Sequence, residues 1–571
     1  MAILTTYTLD LETVLALPLA VLAHSDHSID KLLEDPLLVL QALRQAGDRI
    51  HIFVDETGIA APRSARELYA TLEKSIHPVR APGGGVFHPK VWLARFDAEN
   101  GEPSSVLRVA ILSRNLTFDR SWDIALSSEA TPGRRRVARS TPLSRLIAHL
   151  PKLCTTVPAQ RLVDRIESLS KETARVAFPS PEGFFEEPIT FHAIGLPRMK
   201  RWAPNIANGK HVLAVAPFLS PSILKRVRAL GWGEGRLIAR REELEPLSEV
   251  DLTKWNEVLV VSDAASDEAD DDTSSRLSDL HAKIVGVDHG WNTTWFVGSA
   301  NLTNAAWNGA NVEVMASITG RKSRVGIYNF LDEFLDFCET YRPTSEKQVE
   351  AEDDGEAKRV LDSAARAVVD AGFQINCAPE DNLWEWRLEG SITLPDTVTA
   401  QVWPVSLNEK SAVNLARPVS LILPMSRLTA FTVFRLTVNC NDSEGRCFAL
   451  KLPIQGASLD RDAQILRSLI DTPERLLEFL RALLGGLEAM SELVERTGDK
   501  PNNAWQPGAE TETLLEDLLR ATSRDPGRLA TVRKLIADLR SSEEGRCIVP
   551  EELYSVWQAV EDALGTARRP G

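Results

Sequence analysis

The residues in this chain best suited to chemistry come as one polar constellation written twice. The first copy reads Phe87-His88-Pro89-Lys90 and then Ser113-Arg114-Asn115-Leu116-Thr117; the second reads Leu280-His281-Ala282-Lys283 and then Ser299-Ala300-Asn301-Leu302-Thr303. Histidine can attack, donate a proton or accept one near neutral pH, while lysine and asparagine donate hydrogen bonds to anionic oxygens. Such a set suits displacement at phosphorus, where a nucleophile and an acid must act from opposite sides. A single His-x-Lys in a strand is commonplace. Two copies, each followed by Ser-x-Asn-Leu-Thr and then an acid, carry the signal.

The elements that position these residues follow from strand alternation. Residues at i and i+2 share a face, so His88 projects with Lys90 and His281 with Lys283, while Val91, Leu93, Ala282 and Ile284 turn to a buried side. If a second strand returns beside each first one, Ser113 with Asn115 and Ser299 with Asn301 join the polar face. The spacing from His to Asn is 27 residues (115 − 88) in the first copy and 20 (301 − 281) in the second, which a longer turn over 97–105 absorbs. A third segment places Asp123, after Trp122, and Glu313, after Val312, at comparable points. A carboxylate beside an imidazole nitrogen fixes the ring's tautomer and raises its basicity, and Asp123 and Glu313 are assigned that role. Glu129 is the alternative in the first copy.

Strands and helices alternate through the first 340 or so residues. Strands are expected over 50–55, 86–96, 106–112, 211–216, 256–262, 280–288 and 294–297, and helices over 64–74 and 220–230. The fold class is therefore α/β, with a mainly parallel, helix-covered sheet in each half. Two acidic runs, 267–275 and 346–358, read as disordered. The stretch 383–454, rich in Val, Thr, Leu and Trp with five prolines, suits a small antiparallel β-domain. After Asp460 the periodicity is helical, with N-terminal signals at Thr472-Pro473, Asp525-Pro526 and Pro550-Glu551. The expected domains are a first lobe over 1–175, a second over 176–343, an acidic linker and helix over 344–380, a β-rich domain over 381–457 and a helical domain over 458–571.

Composition bounds the function. The 571 residues exceed what one core can bury, and 43% hydrophobic with 25% charged residues is ordinary for a globular protein. No apolar run reaches the roughly 18 residues of a membrane span, and 14–23 lacks the flanks of a secretory signal, so a cytoplasmic location is expected. A net charge of −15 argues against a protein that coats nucleic acid, but a local basic patch suffices for a nuclease. Arg134, Arg135 and Arg136, with Arg139 and Arg145 behind them, are the candidate patch. The six cysteines contain no CxxC pair, and Cys440 and Cys447 are read as free thiols facing each other across a turn. His24 and His27 have ligand-like spacing but no acid or cysteine completes a set, so neither a metal nor any other cofactor is implied.

These motifs resemble the HKD signatures of the phospholipase D superfamily. The second copy matches as His281-x-Lys283-x4-Asp288 followed by Gly298-Ser299-x-Asn301; in the first, Arg95 stands where the superfamily has Asp, and Asp97 falls two positions late. The run from Trp295 to Trp307 is also similar to the second motif of tyrosyl-DNA phosphodiesterases. The resemblance covers about residues 40–335. It implies two phospholipase D-like lobes about a pseudo-twofold axis with one site between them, ahead of the β-domain and the helical bundle. It further implies that His88 attacks phosphorus to form a phosphohistidine, while His281 protonates the leaving oxygen and later activates water. Lys90, Lys283, Asn115 and Asn301 would hold the nonbridging oxygens in place of metal ions, with Ser113 and Ser299 as further donors. Nucleic acid, DNA ahead of RNA, is the expected partner, with Phe87, Trp92, Trp122 and Trp307 beside the motifs as possible stacking surfaces. DNA restriction or phage defence is the implied setting, and the C-terminal domains suggest a protein partner. A lipid phosphodiesterase would need a membrane-binding surface that the sequence lacks. A scaffold with a silent site is the alternative from another class, and an acidic 267–272 loop covering the site is a further reading.

Overall fold

A computed structural model describes residues 1–22, 49–98, 105–118, 121–261, 279–342, 351–438, 445–457, 461–470, 472–477, 479–480, 526–540 and 543–567, with single positions at 39 and 43. The chain forms two compact units that interleave in sequence: residues 1–10, 48–60 and 74–366 in one, and 11–47, 61–73 and 367–571 in the other. The fold is mixed α/β, as expected. His24, His27, the 267–275 run and Cys440 lie outside the described residues.

The first unit holds two large sheets. In chain order its strands are β1 (Ala2–Thr6), β2 (Ile50–Asp55), β3 (Ile59–Ala60), β4 (Ile76–Val79), β5 (Val91–Asp97), β6 (Ser105–Leu112), β7 (Ser121–Trp122), β8 (Ala125–Ala130), β9 (Thr190–Ile194), β10 (Gly209–Val215), β11 (Gly235–Ala239), β12 (Glu257–Val261), β13 (Asp279–Leu280), β14 (Ile284–His289), β15 (Asn292–Gly298), β16 (Glu313–Arg321) and β17 (Cys338–Thr340). One sheet runs β4-β2-β1-β5-β6-β8 and the other β17-β12-β11-β10-β14-β15-β16-β9. The segment β12-β11-β10-β14-β15-β16 repeats the order of the first sheet strand for strand, so the duplication seen in the motifs extends to topology. Each repeat is three parallel strands followed by an antiparallel meander. The sheets are thus mixed, not mainly parallel, because the motif-bearing segments are hairpins and tight turns reverse the chain.

Alternation along these strands builds the core. Ile284, Trp295, Val297, Val314 and Ala316 face one apolar cluster together with Val91, Leu93, Val109 and Ile111 of the first sheet. Val285, Val287, Phe296 and Met315 turn to a second cluster under the helix Pro221–Arg228, which buries Ile223, Leu224 and Val227. The helix Thr141–Leu153 opens with Pro142 in its first turn and buries Leu143, Leu146, Ile147 and Leu150, an i, i+3, i+4, i+7 stripe. Each such side chain contributes about 1.5–3 kcal/mol of burial. The expected helix over 64–74 is instead a 3-10 segment, Glu67–Lys74, of which all but Lys74 clusters with the second unit.

In the second unit, β18 (Gln374–Glu380), β19 (Leu383–Glu389), β20 (Val398–Pro404), β21 (Val413–Asn414), β22 (Val419–Leu423), β23 (Phe431–Val438), β24 (Gly445–Lys451) and β25 (Ile454–Gln455) are mainly antiparallel; β18 with β25 is the parallel pair. Helices follow at Arg461–Leu469, Pro526–Arg540, Glu543–Ile548 and Glu551–Ala567. The second acidic run is a correction: residues 351–358 belong to the helix Ala351–Asp370. The Glu73 carboxylate is buried within this unit, where it accepts from Arg461 at 2.7 Å and from the Ala430 backbone at 2.8 Å. Cys447 is a free thiol.

Gly298, which closes β15, sits at φ +155, and a Cβ there would lie 2.3 Å from the Val314 carbonyl oxygen. Gly298→Ala is expected to lower stability by about 1–3 kcal/mol, the usual range for a strained backbone with a close approach. Urea unfolding with an unchanged midpoint would contradict that packing.

Candidate active site

Both His-x-Lys segments occupy the extended approach to a strand, just outside the ladder. β5 begins at Val91 and β14 at Ile284, so neither His-x-Lys pair lies within a strand as expected. Free of ladder pairing, each segment instead bonds to the other copy. The backbone N–H of His88 donates to the Val312 carbonyl at 2.9 Å, and Phe87 bridges Val312 in parallel. Reciprocally, β13 pairs in parallel with β7, and the backbone N–H of His281 donates to the Trp122 carbonyl at 2.9 Å. Each histidine segment therefore lies beside the residue that precedes the other copy's carboxylate.

The electrostatics of the first half follow from this crossing. Glu313 is fully buried, and its Oε2 lies 2.8 Å from His88 Nδ1. The same carboxylate accepts from Ser299 Oγ at 2.5 Å and from Asn311 Nδ2 at 3.2 Å. Burial alone would raise its pKa, but His88 and Lys90 outweigh that and hold it below the usual carboxylate range. An ionised Glu313 keeps the proton of neutral His88 on Nδ1 and leaves Nε2 as an acceptor. Lys90 Nζ lies 2.9 Å from that Nε2 and 3.1 Å from the His88 carbonyl oxygen. Burial, opposed by Glu313 and reinforced by Lys90, pulls the His88 pKa down to about 4. Lys90 is itself pulled below the ordinary lysine value, by burial first and then by Lys283.

The second half repeats the lysine-to-carbonyl and serine-to-carboxylate bonds of the first, but among the described residues no Asp123 contact to the His281 ring matches that of Glu313 with His88. Lys283 Nζ donates to the His281 carbonyl at 2.5 Å and reaches the Ser113 carbonyl at 3.4 Å. Ser113 Oγ and Ser121 Oγ donate to Asp123 at 2.9 and 2.8 Å. Asn115 Oδ1 accepts from the Thr8 backbone, whereas the buried Asn301 Oδ1 has no hydrogen-bond partner among the described residues. The site thus gathers His88, Lys90, Glu313 and Ser299 on one side and His281, Lys283, Asp123 and Ser113 on the other, coupled through the mutual repulsion of Lys90 and Lys283.

Several expected roles change. Ser113 and Ser299 are fully buried and spend their hydroxyl protons on Asp123 and Glu313, so they position carboxylates and do not face a substrate. Arg134, Arg135 and Arg136 are exposed but lie past Ala130, the end of β8 that pairs with Leu107, whereas the site is at the Leu112 end of β6. The structure does not bring them to the site; Arg139 pairs with Glu187. Glu129 pairs with Arg108 on that same remote stretch and is no rival to Asp123. Phe87 and Trp307 are core residues, and Trp122 packs on Phe334 and Phe337, which removes them as stacking surfaces. Arg95 pairs with Glu172 and Asp97. Asp288 lies at the opposite end of β14 from His281.

Three residues were invisible to motif reading. Asp55 accepts from the Phe87 backbone at 2.7 Å and so fixes the segment that carries His88, with burial raising its pKa. Asn311 bridges the copies, since its Oδ1 accepts from the Val86 backbone while its Nδ2 donates to Glu313. The Tyr7 ring lies 5.3 Å from that of His88. The acid ending β2 and the asparagine two residues before Glu313 were the available signals.

No family model matches the sequence, and no curated protein matches it. Solved structures do. A mutant form of yeast tyrosyl-DNA phosphodiesterase is similar at 14% identity over 57% of this chain and 83% of its own, with a TM-score of 0.35. A polyphosphate kinase from Porphyromonas gingivalis is similar at 15% identity over 64% of this chain and 49% of its own, with a TM-score of 0.31. Nuc from Salmonella typhimurium, a phospholipase D family member, is similar at 16% identity over 24% of this chain and 84% of its own, with a TM-score of 0.17. Among the described residues no helix is long and apolar enough to cross a membrane.

The lowered His88 pKa fixes the sign of a pH effect. Because the folded value, about 4, is below the unfolded value near 6.5, the stabilising contribution is complete above 6.5 and is lost as pH falls toward 4. NMR should find His88 neutral at pH 5.5. The acid-induced loss of stability should shrink in His88→Gln, and a ring already half-charged near pH 6.5 would contradict the geometry.

Proposed function

We propose that the chain is a phosphodiesterase that cleaves nucleic acid, DNA ahead of RNA, through a covalent phosphohistidine. The observation that carries this reading is the crossed contact between His88 and Glu313, which presents a neutral imidazole with its Nε2 lone pair beside two lysines. His88 Nε2 attacks phosphorus, and Glu313 stabilises the positive charge that develops on the ring. His281, on the opposite side, donates a proton to the departing oxygen. Lys90 and Lys283 take the nonbridging oxygens, with the Asn301 amide as a further donor, so the charge that other nucleases give to metal ions falls to these side chains. Water deprotonated by His281 then breaks the phosphorus–nitrogen bond and returns His88. Asp123 orients this half of the site. Lys90 favours phosphate over His88 because a dianionic or anionic oxygen is a stronger acceptor than imidazole.

The nucleic-acid substrate and a setting in DNA restriction or phage defence are supported by the motif resemblance. The accessory β-strands and C-terminal helices supply surface for a large substrate or a protein partner.

Single- and double-stranded DNA and RNA, incubated in excess EDTA, should be cut by the intact chain. His88→Ala should lose about 10³-fold or more, and Glu313→Gln about 10²–10⁴-fold, the range for a disabled acid–base pair. With a substrate labelled at the scissile phosphorus, acid-labile label should accumulate on His281→Ala and be absent from His88→Ala. Cleavage abolished by EDTA, or label retained without His88, would end the proposal.

A further inference from the structure

A second cleft, of about 490 Å³, is lined by His211, Asp288, Trp291, Arg321, Lys322 and Tyr328 among others. It takes no part in the chemistry above. Asp288 follows His281 by seven residues (288 − 281) along extended chain, which places the cleft about 20 Å from His281. Trp291, in the turn between β14 and β15, is 81% exposed, and its carbonyl accepts from the Lys322 backbone at 3.0 Å. Trp232, 75% exposed, lies at the same end of the sheet: its N–H donates to the Gly209 carbonyl, and Gly209 pairs with His289. Lys210 sits over the Trp232 ring at 5.7 Å.

One exposed tryptophan is ordinary on a protein surface. Two of them, interleaved with cations on a chain of net charge −15, form a local reversal of both polarity and sign. The floor supplies the further observation. Asp288 is 1% exposed; its Oδ1 accepts from Thr293 at 2.6 Å, but its Oδ2 has no hydrogen-bond partner among the described residues. A buried carboxylate oxygen without a donor is costly and calls for an N–H from a ligand. His211 does not supply one through Nδ1, which accepts from the Glu234 backbone.

A flat ring to stack on Trp291, an amino group for Asp288 and an anion for Arg321 and Lys322 together describe a nucleotide. An apolar protein segment would leave the carboxylate unanswered, and an amine-bearing lipid headgroup would offer the exposed Trp291 no ring to stack on. We propose that this cleft binds an unpaired nucleotide, either free or within a single strand, at a site separate from the catalytic pocket. The binding is independent of whether His88 reacts.

The test uses the full chain carrying His88→Ala, titrated with AMP, a ten-residue oligo-dA, the same oligonucleotide as a duplex, and inorganic phosphate, with tryptophan fluorescence and anisotropy as readouts. Quenching by AMP identifies a free nucleotide, and quenching by oligo-dA alone identifies a strand; both support the site. Trp291→Ala and Lys322→Glu should each weaken that binding about 10-fold, the scale of one lost base stack or phosphate contact, and Asp288→Asn should weaken it for adenine. In the chain with His88 intact, Trp291→Ala should leave hydrolysis of bis(p-nitrophenyl) phosphate unchanged. Equal quenching by phosphate or duplex, affinity untouched by either substitution, or loss of that hydrolysis would overturn the assignment.

Discussion

The buried contact between the Glu313 carboxylate and the His88 imidazole is the constraint on which the site depends. A carboxylate with no exposed surface is tolerated only when donors surround it, and here they come from both copies of the repeat: His88 from the first, Ser299 and Asn311 from the second. Removing any one of the three leaves charge or lone pairs unanswered in a dry interior. The same contact sets the histidine tautomer.

That arrangement requires the two sheets to face each other with their strand ends aligned. The parallel bridges between Phe87 and Val312, and between Leu280 and Trp122, achieve this with backbone bonds alone. Side-chain polarity is then free for other uses, and the apolar cluster common to both sheets holds the seam closed. Gly298 contributes by letting the Val314 carbonyl approach, which brings Ser299 within reach of Glu313. The positioning residues are accordingly small or polar and lie just outside regular strands, where backbone direction can change without breaking a ladder.

The polarity of β14 separates two surfaces of different character. Before its start stand the half-buried His281 and the buried Lys283; at its end stand Asp288 and the exposed Trp291 turn. Asp288 thus belongs to a different region of the sheet from His281 and Lys283.

The duplicated His-x-Lys and Ser-x-Asn segments, the hairpin that follows each, and the buried alternation of Val91, Leu93, Ala282 and Ile284 were legible in the sequence. All of them are local: periodicity and spacing fix which residues share a face within a few positions of one another. Which carboxylate meets which histidine was not, because Glu313 and His88 are 225 residues apart and their contact depends on how the two sheets pack. The same holds for Ser113 and Ser299, whose hydroxyls were spent on neighbours that only packing reveals, and for Arg134–Arg136, whose charge was plain but whose end of the sheet was not. Sequence specified the chemical groups and their local grouping; tertiary structure decided their partners, since burial and docking, unlike periodicity, are properties of the whole chain.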